Sequence, residues 1–295
     1  VKPLSLEHGT TQSQRNVVVN VEDISSGKFS LGLGVSAGQG LVGTFQLVKR
    51  NFDLFDYPES IWDLPDAFRG SGQTLALTAR PGTSESKYEI AFKEPHLADS
   101  PIGLSLRFSR QDSIRRDYDE RRITGIVGLS YRFPEIKKLS SSLTYRYEII
   151  DFDNIDADAP PDVVIVKPDT RLSGLELSAT YDNRRLAEFG RATDGWIAGA
   201  RYEYVGGLLG ADVDISKASA NFTIYKSIHD TKNKEHHVLL FSNFVGWSEG
   251  HHNTGSVPIF ERLFLGGVNN LRGFKYREVG PHSGRDPIGG SARHY

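Results

Sequence analysis

The sequence predicts an all-β protein that forms a transmembrane antiparallel β-barrel, and three observations lead to this prediction. Apolar and polar residues alternate in stretches of about ten residues along most of the chain. No stretch reaches the ~18 apolar residues that a membrane-spanning helix needs. Glycine is abundant at 30 residues and aromatic residues make up 11% of the chain, which suits tight turns and aromatic girdles. The mean hydropathy of -0.38 is compatible with a barrel, because a barrel strand shows lipid only every second side chain.

About eleven strands are predicted from the alternation and from the spacing of turn residues. In chain order they lie at 28–37, 41–50, 72–82, 86–95, 101–110, 121–133, 139–151, 172–182, 195–205, 217–228 and 236–247. One face of these strands carries Arg, Glu, Thr, Ser and Gly, and the other is aliphatic in the middle and aromatic near the ends. This pattern is typical of a wall between lipid and a wet lumen. A soluble β-sandwich is the alternative, but strands of about ten residues favour a membrane barrel over the usual soluble length of ~5–6.

The connections and the two ends of the chain complete the predicted architecture. Residues 16–22 form a short valine-rich strand, and residues 23–27 form a polar hinge that leads into the first barrel strand. Residues 151–171 are acidic and contain a Pro-Pro pair, which predicts an outward loop. An odd number of strands leaves two open edges in lipid. We therefore expect a piece of a longer protein, with further strands following Tyr295.

Composition and motifs argue against several classes of function. The net charge of -2 gives no basic excess for a nucleic-acid partner, and without cysteine there is no disulfide framework or thiolate chemistry. No Gly-x-Ser-x-Gly, Walker or His-Glu-x-x-His motif is present, so we expect no enzyme activity and no cofactor. Two His pairs and an acidic series could suggest a metal, but the acidic series lacks the glycine and terminal Glu of a calcium loop. These residues, for which we expect no metal, are His236, His237, His251, His252, Asp151, Asp153, Asp156 and Asp158.

The most specific motif of the chain lies in residues 260–290. Residues 260–274 read Phe-Glu-Arg-Leu-Phe-Leu-Gly-Gly-Val-Asn-Asn-Leu-Arg-Gly-Phe, followed by Gly280-Pro281 and Gly289-Gly290. This stretch resembles the sixth loop of BamA-type outer-membrane assembly barrels. Their superfamily combines periplasmic POTRA domains with a barrel and also holds TamA and the two-partner-secretion translocators. Leu263 departs from the resemblance, because the family usually has an aromatic residue there.

The resemblance extends from about residue 17 to residue 295 and implies a domain organisation. Residues 17–29 are similar to the last POTRA strand running into the first barrel strand. Residues 181–184 with Asp194-Gly195 are similar to an Asp-x-Arg…Gly hairpin of the family, with Ala192-Thr193 where Pro-Thr is usual. The resemblance thus implies the end of a POTRA domain and a hinge at 1–26. It further implies a barrel of about sixteen strands, of which eleven to twelve lie in 27–295 and the C-terminal strands are missing.

The resemblance also implies that the loop carrying this motif folds back into the lumen. Its glycines permit tight bends that a Cβ would block, and Arg272 can donate to carboxylates of the inner wall. A buried lone guanidinium would be costly, so it needs such partners. The wall candidates are Glu148, Glu176, Asp182 and Glu203, among which the sequence does not choose. The residues assigned to the lumen-loop motif are Gly266, Gly267, Leu271, Arg272, Gly273 and Phe274.

The implied function is assembly of β-barrel proteins in the outer membrane, without covalent chemistry. An incoming strand would pair with the edge of the first barrel strand at a lateral seam, as in β-augmentation. Glycines make that edge deformable and its register weak. The residues assigned to the seam strand are Gly27, Phe29, Leu31, Gly32, Leu33, Gly34 and Val35. The implied partners are unfolded outer-membrane proteins as clients, the lipid bilayer and periplasmic lipoproteins, in a Gram-negative-type bacterium rather than an organelle.

Two further classes of function stay open at the level of the sequence. The first is a protein translocator of the TamA or two-partner-secretion kind, which shares the same loop and which the number of upstream POTRA domains would distinguish. The second is a passive porin or an outer-membrane esterase barrel, although no Ser/His/Asp set supports the esterase. A large steady pore in single-channel recordings would favour the porin.

Overall fold

A computed structural model of the chain describes residues 5–8, 15–18, 27–36, 40–62, 67–187, 190–230, 236–252, 254–267 and 270–295. Over these residues the dominant feature is one large antiparallel sheet in which each strand pairs with the next along the chain. Its strands are β3 (Gly27–Ser36), β4 (Gly40–Phe52), β5 (Arg69–Arg80), β6 (Glu85–Glu94), β7 (Ile102–Ile114), β8 (Asp119–Arg132), β9 (Leu139–Asp153), β10 (Thr170–Asp182), β12 (Ala192–Val205), β13 (Ile215–Asp230), β14 (His236–Gly250) and β17 (Ala292–His294).

The remaining elements are short. β1 (Ser5–His8) pairs with β2 (Arg15–Val18), β11 (Arg185–Leu186) pairs with β12, and β15 (His282–Ser283) pairs with β16 (Asp286–Pro287). A four-residue helix, α1, spans Pro161–Val164, and single 3-10 turns span Leu97–Asp99, Gly207–Leu209 and Ile259–Glu261. Among the described residues, no helix has the length and apolar character to cross a bilayer.

The all-β antiparallel prediction is confirmed, and each of the eleven predicted strands has a counterpart in the sheet. The structure corrects several ends: β7 continues to Ile114, β9 to Asp153 and β14 to Gly250. These extensions lie at the same end of the sheet, where loop residues pack against the strand ends and the hydrogen-bonded pairing of the strands continues. β17 adds a twelfth strand. The valine-rich strand covers Arg15–Val18, whereas residues 19–26 lie outside the described part, so the POTRA and hinge assignment of 1–26 stays a prediction.

The two faces of the sheet differ in the way that a membrane wall requires. One row across neighbouring strands, through Leu129, Leu143, Leu177, Tyr202 and Trp247, is exposed and apolar. The opposite face is polar and borders a cavity of about 1060 Å³. Residues that line this cavity include Thr74, Ser105, Arg107, Ser130, Ser142 and Thr144. The apolar face is therefore the lipid side and the polar face is the lumen side of the wall.

Successive connections alternate between the two ends of the strands. The loop end of the wall carries the connections 154–169, 206–214 and the long loop, residues 251–291. The turn end carries 53–68 and the shorter connections that follow β6, β8, β10 and β13. At the loop end the long loop packs onto the lumen side of the strands, and a hydrophobic cluster of buried residues lies there. Its buried members are Tyr118, Ile150, Phe152, Ala159, Val163, Leu172, Val205, Ile215, Ile259 and Phe260.

Candidate functional site

Residues 259–261 of the long loop are buried against the lumen side of the sheet. The 3-10 turn Ile259–Glu261 follows Pro258, whose fixed φ favours such a turn, and all three of its residues are buried. Ile259 and Phe260 pack among strand residues of β9, β10, β12 and β13, and the ring of Phe260 meets that of Phe152 edge-on at 6.2 Å between centroids. Burial of two large side chains contributes roughly 3–5 kcal/mol to holding this turn in place.

Directly after these apolar residues, Glu261 enters a network of charged groups on the lumen side. We call this network the lumen cluster, and it consists of Arg122 of β8, Arg146 and Glu148 of β9, Glu203 of β12, Lys217 of β13 and Glu261. Within these six side chains, three basic and three acidic groups balance in charge, and Arg122 also pairs with Glu120 outside the cluster. A carboxylate as deeply buried as that of Glu261 would be costly alone, so this balance is a condition for the loop to enter the barrel.

Glu261 is the centre of the cluster. The guanidinium of Arg146 donates to both carboxylate oxygens of Glu261, at 3.1 and 3.3 Å, which is the bidentate arrangement that makes such pairs strong. Lys217 also donates to Glu261, and Nη1 of Arg122 lies 3.8 Å from it. Burial by itself would raise the pKa of Glu261, but the charges of Lys217, Arg146 and Arg122 outweigh it and keep that pKa below its usual range. Glu261 is therefore ionised at neutral pH.

A glycine on β10 makes the central contact possible. Nε of Arg146 on β9 donates to Glu203 of β12 at 2.7 Å, across the strand that separates them. Gly174 of β10 is paired with Arg146 on one side and with Val205 on the other. A Cβ at position 174 would lie 2.9 Å from Val205 and 3.0 Å from the carboxylate of Glu203, closer than real Cβ contacts. Because Gly174 has no side chain, Arg146 and Glu203 can form their ion pair over β10, which lies between their two strands.

Further contacts extend the anchoring along the loop. Arg122 donates to the carbonyl oxygen of Phe260 at 2.6 Å. Arg262 donates to Asp162 of α1 and to the carbonyl oxygens of Val257 and Ile288. These bonds tie the start of the long loop to its own end and to the connection 154–169. The loop is therefore held at several points and not by one side chain.

The predicted motif residues lie further along the same loop. Gly266 has φ +109°, and a Cβ there would lie 2.1 Å from the carbonyl oxygen of Lys275. This close approach closes a compact turn in which the amide of Gly266 donates to the side chain of Asn270 at 2.8 Å and that of Gly267 to the carbonyl of Phe274 at 3.0 Å. Residues Arg272, Gly273 and Phe274 are exposed and Leu271 is half-buried. Anchoring of Arg272 to the inner wall stays a prediction.

Of the four wall carboxylates proposed from sequence, two belong to the lumen cluster. Glu148 and Glu203 pair with Arg146, Glu176 lies 3.6 Å from Arg201, and Asp182 binds Arg184 of its own hairpin. The anchoring residues predicted from the sequence did not include Glu261, Arg122, Arg146 or Lys217. The alternation places Arg146 and Glu148 on the inward face of β9, and Glu261-Arg262 precedes the double glycine of the motif. These charged residues are therefore visible in the sequence, but which of them pair with each other is not.

The predicted seam strand forms one end of the sheet. Within the described residues, the only strand paired with β3 is β4. Phe29, Leu31, Leu33 and Val35 share the lipid-facing side and are all exposed. The sheet path runs from β3 to β17 at its other end, and β17 pairs with β14 through three residues. Within the described residues, β3 is therefore the first strand of the sheet.

The histidine and aspartate residues considered for metals fall into separate places. His251 bonds the hydroxyl of Ser216 at 2.7 Å, and Asp151 and Asp153 lie 3.9 and 3.5 Å from Arg121. Asp156 and Asp158 instead meet Asp117 of the connection 115–118, and one oxygen from each lies within 4.8 Å of the others. Asp117 is buried, and Asp286 of β16 also faces it. This group joins three connections at the loop end.

The contact between Asp117 and Asp286 is expected to depend on pH. Burial, with Asp286 and Asp158 nearby, raises the pKa of Asp117 from 3.8 to about 6. The packed state therefore binds a proton that the separated state releases, so the contact strengthens as pH falls through about 6 and weakens above it. Hydrogen exchange of the amides at 282–286, corrected for intrinsic rates, should slow between pH 7.5 and 5.5 in the wild type and not in Asp117→Asn. The exposed Asp169→Asn is the control, and equal pH dependence in both variants would contradict the assignment.

Comparison with known proteins agrees with this geometry. The Omp85 superfamily domain matches residues 67–294, which is more than half of the chain. The outer membrane protein assembly factor BamA of Nitratidesulfovibrio vulgaris is 26% identical over 223 residues, covering 75% of this chain. The chain spans about a quarter (26%) of the length of that curated relative.

Two solved structures share the fold. The crystal structure of BamA from Haemophilus ducreyi lacking POTRA domains 1–3 matches with a TM-score of 0.69 at 18% identity, over 99% of this chain and 57% of that one. CdiB from Escherichia coli matches with a TM-score of 0.59 at 14% identity, over 92% and 49% of the two chains. The resemblance inferred from the loop motif is thus confirmed: the chain belongs to the Omp85 superfamily of outer-membrane β-barrel proteins.

Proposed function

We propose that the protein is an outer-membrane assembly factor that folds and inserts client β-barrel proteins by pairing their strands with the edge of β3. The observation that supports the proposal is the place of β3 as the first strand of the sheet within the described residues, because a complete barrel would close its first strand against its last; the lipid-facing row of β3 includes Leu33. Unpaired backbone groups at a strand edge template the pairing of another strand. The process needs no covalent step, so we propose no enzyme activity.

The proposed setting follows from the relatives. The curated relative carries the name outer membrane protein assembly factor, which supports unfolded outer-membrane proteins as clients and the outer membrane of a Gram-negative-type bacterium as the location. Periplasmic lipoproteins are proposed as partners only because the resemblance of the loop motif to BamA-type barrels implies them. In this scheme the anchored start of the long loop acts as a fixed plug. The lumen therefore stays closed while a client strand pairs with β3.

A translocator is the second candidate, and the fold match with CdiB is the observation that favours it. The two candidates place the client on opposite sides of the wall. An insertase contacts its client at the lipid-facing edge of β3, whereas a translocator contacts its passenger along the polar lumen face that includes Ser105 and Arg107. The position of the client relative to the wall therefore separates them.

Site-specific photocrosslinking in the full-length protein tests the proposal. A photoreactive residue at Leu33 is expected to crosslink to newly made outer-membrane proteins, because that side chain lies on the lipid side of the strand proposed to form the seam. Leu177, which is exposed on the same face in the middle of the sheet, is the matched control and should give no client adduct. Adducts at Ser105 with none at Leu33 would overturn the insertase proposal and favour translocation.

A further inference from the structure

The connection 53–68 between β4 and β5 is the longest at the turn end of the wall. Of this connection the structure describes residues 53–62 and 67–68. The path is ordered by its own polar groups: the amide of Phe68 donates to the carbonyl of Asp56 at 2.9 Å, and the amide of Arg69 donates to the carboxylate of Asp56 at 3.0 Å. Such bonds pair polar backbone groups within the connection itself. The contacts that the connection makes with its surroundings therefore depend on its side chains.

The connection folds over the lipid-facing side of the wall. Phe52 pairs with Gln73, on the face that also carries Leu75 and Leu77. Phe68 stacks on Phe52 at 5.7 Å between ring centroids, and Phe52 meets Phe92 of β6 at 6.4 Å.

Two polar side chains beneath the connection, Gln73 and Lys49, form hydrogen bonds with its backbone. Gln73 is only 6% exposed, and its side-chain oxygen accepts from the amide of Leu54 at 3.0 Å. Lys49, also on the outer face, donates to the carbonyl of Ala67 at 2.6 Å. An amide and an ammonium on the lipid side of a wall need such partners, because hydrocarbon offers none. The connection therefore marks where the apolar wall passes into a polar layer.

Large apolar side chains project from this connection. Phe55 is 74% exposed, Ile61 73% and Trp62 84%, and Leu54 and Tyr57 are exposed beside them. The ring of Tyr57 meets that of Phe68 edge-on at 6.2 Å between centroids, and through Phe68 and Phe52 it joins this group to the apolar outer face of the wall. Trp and Tyr concentrate at the boundary between hydrocarbon and headgroups because their rings are apolar at one side and polar at the other.

We propose that residues 54–62 insert into the headgroup and acyl boundary of the adjoining leaflet and anchor the wall to the bilayer beside β3. The occupant is the lipid bilayer, because the exposed side chains are continuous with the lipid-facing wall. Acidic residues Asp53, Asp56 and Glu59 accompany them, so the binding relies on apolar insertion and not on anionic lipid. The anchor is independent of whether the protein inserts or translocates clients.

Depth-dependent quenching in vesicles of phosphatidylcholine tests the anchor. A full-length protein in which any cysteine outside residues 1–295 is replaced by serine carries a single fluorophore on a cysteine introduced by Trp62→Cys; residues 1–295 themselves contain no cysteine. Lipids brominated near the headgroup should quench it most strongly. Two reference sites calibrate the result: Leu177→Cys on the lipid face should be quenched best by bromines deep in the chains, and Ser105→Cys in the lumen should not be quenched by any of them.

A second measurement uses the native tryptophan. In a full-length protein with Trp196→Phe, Trp247→Phe and any tryptophan outside residues 1–295 also replaced by phenylalanine, bromolipids should quench Trp62. The added pair Phe55→Ser and Ile61→Ser should lower that quenching by about half. Ile165→Ser, an equally exposed isoleucine at the loop end with 73% exposure, should leave it unchanged. A fluorophore at position 62 that behaves like the one at position 105, together with unquenched Trp62, would overturn the proposal and leave the surface to a soluble partner.

Discussion

Glu261→Gln is expected to release the first turn of the long loop from the barrel interior while the strands stay folded. The substitution keeps the shape of the side chain but removes the charge that Arg146, Lys217 and Arg122 share. Breaking a buried ion pair from one side costs about 3–5 kcal/mol, because the remaining charges stay desolvated. Since Arg146 and Lys217 retain Glu203, we expect a loss of about 3 kcal/mol at the low end of that range.

Hydrogen exchange of the amides at 259–267 measures this release. A loss of about 3 kcal/mol corresponds to an exchange rate that is higher by roughly a hundredfold. Glu249→Gln, at the exposed end of β14, makes the same change in charge. It should change the free energy of opening derived from these exchange rates by less than about 0.5 kcal/mol.

A double variant distinguishes charge balance from packing. Adding Lys217→Gln to Glu261→Gln restores neutrality of the lumen cluster, so part of the loss should return as a coupling energy of about 1–2 kcal/mol. Exchange at 259–267 that stays at the wild-type rate in Glu261→Gln would show that Ile259 and Phe260 hold the turn alone.

Gly266→Ala is expected to open the compact turn that carries the Leu-Arg-Gly-Phe tetrad. Position 266 has φ +109°, and the added methyl would lie 2.1 Å from the carbonyl oxygen of Lys275. The φ strain alone costs about 1–3 kcal/mol, and the overlap with backbone atoms cannot be relieved by rotating a side chain. The bond from the amide of Gly267 to the carbonyl of Phe274, now 3.0 Å, should therefore be lost.

Exchange at Gly267 and Val279 reports on this turn, because the amide of Val279 donates to the carbonyl of Leu265 across it at 3.1 Å. Both amides should exchange at least about tenfold faster in Gly266→Ala. Gly255→Ala is the control in the same loop, since no atom lies within 4 Å of a Cβ at that position and its φ is not positive. Equal protection in the two variants would mean that the turn does not need the glycine. Assembly of client proteins by Gly266→Ala, measured in parallel with hydrogen exchange, would show whether function requires the Leu-Arg-Gly-Phe tetrad to keep this turn conformation.

Both substitutions act on one loop but on different supports, which makes them separable. Glu261 fixes the place where the loop enters the barrel, and Gly266 fixes the conformation of the segment that follows. If the loop works as a plug, Glu261→Gln should raise ion conductance of the reconstituted full-length protein more than Gly266→Ala does.

The sequence by itself determined the strands and the family. Period-two alternation is a local property, so β3 to β14 could be placed to within a few residues, and the Gly-Gly and Leu-Arg-Gly-Phe pattern around Gly266 and Arg272 indicated the superfamily that the match to residues 67–294 established. Tertiary structure alone decided which charges meet. Arg146 and Glu261 are separated by 115 positions, and their contact depends on strand register and on the space left by Gly174. Alternation shows which side of a strand a residue faces, but the partner across the lumen is set by the stagger of the strands and by the path of a loop, and neither leaves a local trace in the sequence.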